Sequence, residues 1–271
     1  MSAAHDVSAL RQMLAGLEAE RLPGASNSFS FGAEGPDEVL ANSLARGALH
    51  EIYAAQGADM PAASGFALAL ALRASGAASD ARPIVWVRQD FLDAEAGRLH
   101  AHGLIALGLD PSRLILVRAR DPEQALRAAG DAVRCSALGA VLLEPWGEPK
   151  ALDLTATRRL ALRADASGVT LFLLRMAAKP SASVAVTRWL VAPAISTPLA
   201  AEAPGAPAFA ATLLRHRGGI AGHQWNLEWD HESCSFRDIA PLSRAVVPVP
   251  AGRPAASGAA PAEITAFRRT G

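Results

Sequence analysis

The sequence has few cysteines and no excess of charge of either sign. Its two cysteines, Cys135 and Cys234, are too few for a disulfide framework, and they indicate a reducing compartment. We expect both to be small, buried side chains. Basic and acidic residues both number 26, so the formal net charge is zero. That balance removes any general electrostatic case for binding nucleic acid or a membrane surface, and any basic surface must be local.

Long hydrophobic runs are absent as well. The most apolar stretch, residues 66–72, is far shorter than the ~20 residues that span a bilayer. The N-terminus has no basic region followed by an apolar one, so we expect no signal peptide. These absences predict a cytoplasmic protein without membrane contacts.

The composition divides the chain into four parts. Residues 1–24 form a predicted helix, and residues 25–48, rich in Ser, Gly and Asn, are predicted to be a connection rather than core. Residues 49–240 form the predicted core domain. Residues 241–271 are dense in Pro, Ala and Gly, which predicts a flexible tail. The apolar face of the N-terminal helix comprises Val7, Leu10, Leu14 and Leu17.

Strand-like and helical stretches alternate from residue 49 to residue 174, which is typical of βαβ units and a parallel sheet. After residue 175 the pattern changes to alternating, half-exposed strands, which favours antiparallel pairing. The predicted fold is an α/β three-layer sandwich with a mostly parallel central sheet and an antiparallel C-terminal extension. The predicted strands are residues 49–54, 83–88, 113–117, 140–143, 169–174, 183–191, 209–216 and 223–230. The predicted helices are residues 64–74, 93–107, 122–138 and 154–167.

The segment after the first predicted strand occupies the place of the phosphate loop in P-loop proteins. Their motif, G-x-x-x-x-G-K-[ST], cradles phosphate with backbone amides and neutralises it with lysine. Here the lysine is missing, Asp59 would place negative charge beside a triphosphate, and Pro61 lacks a backbone donor. We therefore expect no nucleotide or other cofactor. The residues of this degenerate loop are Gly57, Ala58, Asp59, Ser64 and Gly65.

Two acidic residues follow strands at the sheet edge where ligands gather in such folds. Glu144 stands where a magnesium-organising acid would be, and Asp90 is a second acidic position. The alternative is structural, because strand-end carboxylates often pair with a neighbouring loop. Since the phosphate cradle is degenerate, we expect the chain not to be an enzyme. Glu144 and Asp90 remain the acids to consider for residual ATPase chemistry.

Other catalytic and metal-binding patterns are missing. Neither a G-x-S-x-G elbow nor a C-x-x-C pair occurs in the sequence. His100 and His102 are two residues apart, so on a helix their side chains would point to different sides and could not converge on a metal. The sequence therefore gives no support for nucleophilic catalysis and predicts no metal site.

Arg215 and Arg217 lie in a basic loop between two predicted strands. They are candidates for contact with DNA phosphates. The alternative is an ordinary solvated turn, because a few arginines supply only modest, salt-sensitive affinity. The sequence favours the solvated turn slightly.

The order of these motifs over residues 44–230 resembles the RecA/Rad51 superfamily and, within it, the ImuA family of SOS-mutagenesis proteins. Residues 49–53 (Leu-His-Glu-Ile-Tyr) look like the strand before the Walker A loop. Residues 108–114 (Gly-Leu-Asp-Pro-Ser-Arg-Leu) look like the turn into the third strand, and residues 140–146 (Ala-Val-Leu-Leu-Glu-Pro-Trp) occupy the Walker B position. More particular to the ImuA family are residues 213–219 (Leu-Leu-Arg-His-Arg-Gly-Gly) and 225–230 (Trp-Asn-Leu-Glu-Trp-Asp).

The resemblance implies a RecA-like adaptor that works in translesion synthesis with ImuB, a Y-family polymerase-like protein, and with an error-prone DnaE-type polymerase. RecA itself is a further partner that the shared fold suggests. In recombinases a long loop after the fifth strand binds single-stranded DNA, whereas only residues 176–183 are available here. This departure and the degenerate phosphate loop put ATP-driven filament formation and strand exchange in doubt.

Two elements outside the core could dock a partner: the apolar face of the N-terminal helix and the basic end of the tail, Phe267, Arg268 and Arg269. The helix could equally pack on its own domain. Two other functions stay open: an atypical nucleotide hydrolase that uses Glu144, Asp90 and a lysine from elsewhere, and a cell-division inhibitor of the SulA type.

Overall fold

The computed structural model describes residues 28–41, 44–76 and 82–239. The predicted helix of residues 1–24 and the predicted tail of residues 241–271 lie outside these residues, so their docking role stays a prediction. In the described part of the chain, no helix is long and apolar enough to cross a bilayer. The docking candidates outside it are Val7, Leu10, Leu14, Leu17, Phe267, Arg268 and Arg269.

The described strands form one large sheet and one two-stranded sheet. In chain order they are β1 (Ser28–Phe29), β2 (Leu44–Ala45), β3 (Leu49–Ala54), β4 (Ile84–Gln89), β5 (Leu114–Ala119), β6 (Ala140–Glu144), β7 (Thr170–Arg175), β8 (Thr187–Pro193), β9 (Ala208–His216), β10 (His223–Asp230) and β11 (Ser235–Asp238). The large sheet has the order β11-β10-β9-β8-β3-β7-β6-β4-β5. Pairing is parallel from β8 to β5 and antiparallel from β8 to β11. This topology confirms the predicted sheet and its antiparallel extension.

Helices cover both faces of the parallel part of the sheet. In chain order they are α1 (Glu34–Val39), α2 (Met60–Ser75), α3 (Leu92–Glu95), α4 (Ala101–Ala106), α5 (Pro122–Ala132) and α6 (Leu154–Ser167). α2 packs on one face of the sheet, and α5 and α6 pack on the other. Asp121 and Asp153 begin α5 and α6 by accepting hydrogen bonds from the backbone N–H groups of Gln124 and Ala156. The result is the predicted three-layer sandwich.

The core on the α2 face is rich in aromatic side chains. α2 is apolar on nearly all sides, and most of its residues are buried, as its composition indicates. The ring of Phe66 on α2 lies 5.4 Å from that of Phe236 and 5.9 Å from that of Trp189, measured between centroids. Phe31 completes the cluster at 5.3 Å from Phe236. These contacts join α2 to both ends of the described chain.

The segment of residues 25–48 is not the simple connection that its composition predicts. Within its described part, β1 pairs with β2, and Phe31 and Leu44 are fully buried. The Asp37 carboxylate accepts hydrogen bonds from the backbone N–H groups of Phe31 and Gly32, at 2.7 and 2.8 Å. These elements are too short to show a periodic pattern. Long-range aromatic packing and one buried carboxylate order them instead. Among the described residues, the core therefore begins with Phe29.

Several further predictions need correction. The predicted helix of residues 122–138 ends at Ala132, and the strand predicted from residue 183 begins at Thr187. The predicted helix of residues 93–107 is interrupted, because the chain leaves α3 through Gly97 at φ +83° and starts α4 only at Ala101. No strand was predicted after residue 230, but β11 follows a turn at residues 231–234. Cys135 is exposed and Cys234 is half-buried, so the prediction that both thiols are buried is wrong; both are free.

His50 links β3 to the neighbouring strand and to β2. Its Nε2 lies 2.8 Å from the Ala45 carbonyl oxygen, so Nε2 carries the proton and donates. Its Nδ1 then accepts from the Thr187 hydroxyl at 2.7 Å, and Trp189 Nε1 donates to the same hydroxyl at 2.8 Å. Complete burial lowers the pKa of His50 to about 4. The imidazole is therefore a neutral structural group at physiological pH.

Candidate functional site

The residues of the predicted phosphate loop do not form one loop. Gly57–Asp59 make a single 3₁₀ turn after β3, and α2 already begins at Met60. Ser64 and Gly65 consequently lie in the second turn of α2, with their backbone groups within the helix. A Cβ atom on Gly65 would lie 3.3 Å from the ring of Phe209, so this glycine serves helix packing. Pro61 favours this early start because its fixed φ suits the first turn of a helix.

Asp59 stands at the N-terminal end of α2, where a phosphate-binding protein places its anion. It is buried, and its backbone N–H donates to the Gln56 carbonyl oxygen at 3.0 Å. Its carboxylate supplies negative charge at the positive end of the helix dipole. An incoming phosphate would meet that charge. Ala58, between Gly57 and Asp59, lies in the same turn.

Glu144 forms a buried ion pair with Arg88. The two residues are direct neighbours in the β4–β6 pairing, and both are buried. Arg88 Nε donates to Glu144 Oε2 at 2.7 Å, and Trp86 Nε1 donates to the same oxygen at 2.9 Å. Arg88 Nη2 reaches the other carboxylate oxygen at 3.4 Å. Both oxygens of this carboxylate therefore have hydrogen-bond donors within the chain.

Two opposing electrostatic effects act on the pKa of Glu144. Burial raises the pKa of Glu144, and the Arg88 guanidinium and the Trp86 indole oppose that rise only in part. The pair forms one wall of a cavity of 220 Å³ between the first turns of α2, the carboxyl ends of β4 and β6, and residues 96–104. The cavity is small, and α2 residues such as Leu68 make its walls mainly apolar.

Asp90 does not join Glu144. It is exposed just after β4, and it forms no ion pair with any described residue. Asp93 takes part instead: its Oδ1 lies 3.3 Å from Arg88 Nη1, and its other oxygen contacts Arg118. Sequence reasoning missed Arg88 and Asp93. The available signal was an arginine at the end of an apolar strand, opposite in charge to Glu144.

A second buried carboxylate, Glu51, lies on the opposite face of the sheet. Arg188 Nε contacts Glu51 Oε2 at 2.8 Å, and Arg175 Nη1 lies 3.9 Å from Oε1. The guanidinium groups of Arg175 and Arg188 lie 5.6 and 5.8 Å, respectively, from the centroid of the Tyr53 ring. Burial raises the pKa of Tyr53, with the Glu51 charge adding to that effect. Nothing in the sequence singled out this cluster.

Arg188 of this cluster also forms hydrogen bonds with the connection between β7 and β8. This is the connection in which recombinases carry their DNA-binding loop. Arg188 Nη2 donates to the Ser183 hydroxyl at 3.0 Å and to the Ser181 carbonyl oxygen. Arg215 Nη1 donates to the Ser183 carbonyl oxygen at 3.0 Å, and Arg217 Nη2 donates to that of Val184 at 3.2 Å. Both DNA-contact candidates therefore support the short connection. Their contact with phosphate stays a prediction.

His100 and His102 lie closer together than residues i and i+2 of one helix would. His100 precedes α4 instead of lying within it, and its ring stacks on that of His102 at 5.1 Å. The prediction that the two side chains point to different sides of a helix was therefore wrong. Among the described residues, however, no group of three His, Cys, Asp or Glu side chains could hold a metal ion.

Comparison with known proteins gives matches in sequence and in fold. No protein-family model matches the chain. The chain is 35% identical over 174 residues to Protein ImuA in two strains of Caulobacter vibrioides, a match that covers 59% of this chain and 67% of the relative. The crystal structure of the RadB recombinase matches at 17% identity with a TM-score of 0.50, covering 78% of this chain and 100% of the other. That likeness confirms the predicted RecA-like fold.

Proposed function

The chain belongs to the ImuA family, and from that premise we propose that it is a non-catalytic RecA-like adaptor in SOS mutagenesis. It supports error-prone translesion synthesis through contacts with ImuB and RecA, and through ImuB it serves an error-prone DnaE-type polymerase. We place this role in the cytoplasm, because both cysteines are free thiols and a reducing compartment keeps them so. DNA contact through Arg215 and Arg217 is at most a weak addition.

The observation that carries the non-catalytic part is the pairing of Arg88 with Glu144. An ATPase of this fold needs an open carboxylate near the metal and a lysine on the phosphates. Here the carboxylate is bonded to Arg88 and Trp86, and the loop before α2 contains no lysine. A buried acid satisfied in this way supports a structural role.

The rival function is an atypical nucleotide hydrolase built on Glu144 and Asp90. Two lysines, Lys150 and Lys179, are the candidates to replace the missing phosphate-binding lysine. The exposed position of Asp90 and the internal pairing of Glu144 weigh against this function. A charge-free replacement at Glu144 separates the two proposals.

The test is damage-induced mutagenesis in a strain that lacks its own copy of the chain. Complementation with Glu144→Gln should restore mutagenesis, because the glutamine oxygen still accepts hydrogen bonds from Trp86 and Arg88, and Asp93 remains as a counter-ion for Arg88. A matched Asp90→Asn variant should also complement. Loss of mutagenesis in both variants, at unchanged protein levels, would support the hydrolase instead.

A further inference from the structure

Two neighbouring grooves lie on the α6 side of the sheet, at the edge formed by the amino ends of the parallel strands. The larger groove, of 620 Å³, runs between β2, the start of β3, α6 and the connection at residues 184–186. The smaller, of 430 Å³, lies between residues 134–136 and the second half of α6. Leu162 on α6 lines both grooves. The two grooves therefore form one continuous surface around this leucine.

The surface is positively charged although the chain as a whole is neutral. Arg158 and Arg217 line the larger groove with one acid, Asp165. Arg134 and Arg163 line the smaller groove, which has no acidic lining residue. Arg134, Arg158 and Arg163 form no ion pair with any described residue. Their charge is available to a ligand.

The centre of this surface is apolar. Leu162 is 59% exposed in the middle of the arginines, and Ala161, Val184 and Val186 line the larger groove beside it. A single exposed leucine needs no explanation. A leucine at the meeting point of two arginine-lined grooves forms an apolar centre with a charged rim, which is the usual anatomy of a protein-binding surface.

The grooves are separate from the degenerate nucleotide site. In open parallel sheets, nucleotides bind at the carboxyl ends of the strands, and these grooves lie at the opposite ends. Single-stranded nucleic acid binds through aromatic side chains on which bases stack. Neither groove has an aromatic lining residue. The chemistry therefore favours a peptide over a nucleotide or a nucleic acid.

We propose that the two grooves bind an acidic segment of a partner protein, with one apolar residue of that segment packed on Leu162. This inference rests on the proposed adaptor role, because it requires a partner. Charge complementarity disfavours the C-terminal segment as the occupant, because residues 241–271 carry four arginines and one glutamate. Residues 1–27 carry three carboxylates and two arginines, so they offer little net charge to the arginines of the grooves.

The test uses the purified full chain and a library of short random peptides displayed on phage. Enriched peptides are synthesised with a fluorophore and titrated by fluorescence anisotropy. They should carry net negative charge and a leucine, isoleucine or phenylalanine. Their affinity should fall about tenfold in Arg158→Glu and in Leu162→Ala, and the charge-dependent part should weaken further with added salt.

A matched control lies one residue away on the same helix. Arg159 is also exposed and lines neither groove, so Arg159→Glu makes the same change in net charge without touching the proposed site. Its effect on affinity should stay below about twofold. Equal losses in Arg158→Glu and Arg159→Glu, or enriched peptides without an excess of acidic residues, would overturn the proposal.

Two further experiments would detect a different occupant of the grooves. A photo-crosslinking residue at position 162 that joins residues 1–27 of its own chain would make the N-terminus the occupant; position 199, an equally exposed leucine elsewhere, is the control. A labelled single-stranded oligonucleotide that competes with the peptides and needs Arg158 but not Arg159 would make nucleic acid the occupant. Either result overturns the proposal. A chain that restores mutagenesis but selects no acidic peptide would overturn the grooves alone and leave the adaptor role standing.

Discussion

Glu144 and Glu51 are two buried carboxylates on the same parallel sheet, but they lie on opposite faces and are neutralised to different degrees. Glu144 receives hydrogen bonds on both oxygens, from Arg88 and Trp86. Glu51 has one close arginine, Arg188, and its Oε1 has no hydrogen-bond donor within reach. Glu144 also lines a cavity at the ligand-binding edge of the sheet.

The comparison shows that two buried acids of one sheet can differ in how many donors compensate them. Burying a carboxylate costs several kcal/mol unless a cation and hydrogen bonds compensate. At both sites the compensation comes from arginines on adjacent strands of the same chain. Glu144 receives the more hydrogen bonds of the two, although its position in the sequence made it the stronger candidate for chemistry.

The largest expected effect comes from removing the partner of Glu144. Arg88→Met should lower the free energy of unfolding by about 3–5 kcal/mol, because it leaves a buried carboxylate without its cation. Urea denaturation followed by tryptophan fluorescence measures this loss. The loss should be smaller in acid, since an unpaired buried Glu144 has a raised pKa and its protonated form is stable below that pKa. Arg98→Met, at a side chain that is 85% exposed, is the control and should change little.

The double variant Arg88→Met, Glu144→Met sharpens this first prediction. Removing both charges should recover most of the stability that the single variant loses, because apolar pairs of similar volume often replace buried ion pairs well. If Arg88→Met alone were as stable as the unmodified chain, Glu144 would not depend on Arg88. The structural explanation of this acid would then fail.

The second-largest effect concerns His50, a buried side chain that is uncharged at neutral pH. His50 has a folded pKa of about 4, below its ordinary value of 6.5, because burial disfavours the imidazolium. A depressed folded pKa means that the unfolded chain binds the proton first as the pH falls. Stability should therefore decrease from about pH 6.5 to about pH 4, by about 3 kcal/mol in total. Unfolding curves across this range test it, and His50→Gln should flatten the dependence.

The smallest effect is expected at Glu51. Arg188→Met should cost about 1–2 kcal/mol, less than Arg88→Met, because Arg175 remains 3.9 Å from the same carboxylate. Parallel denaturation of the two variants gives the ratio directly. A loss at Arg188 larger than that at Arg88 would reverse the comparison between the two glutamates.

The sequence predicted the helices and strands whose hydrophobic pattern is local and long. The helix at residues 154–167 and the strands at residues 49–54 and 223–230 have the predicted bounds. It failed for the short elements between residues 28 and 45, whose order depends on Asp37 and on distant aromatic rings. It also failed for the pairing of Arg88 with Glu144. β4 and β6 are neighbours in the sheet with β5 between them in the chain, so only the strand order brings these side chains together.

The central claim is that internal pairing has replaced nucleotide chemistry at the carboxyl edge of the sheet. Equilibrium titration of the purified full chain with labelled ATP and magnesium tests it most directly, with Glu144→Gln as a parallel sample. We expect no saturable binding up to millimolar ATP and no hydrolysis by either protein. Saturable micromolar binding, with turnover that Glu144→Gln abolishes, would contradict the claim and make Glu144 a catalytic residue.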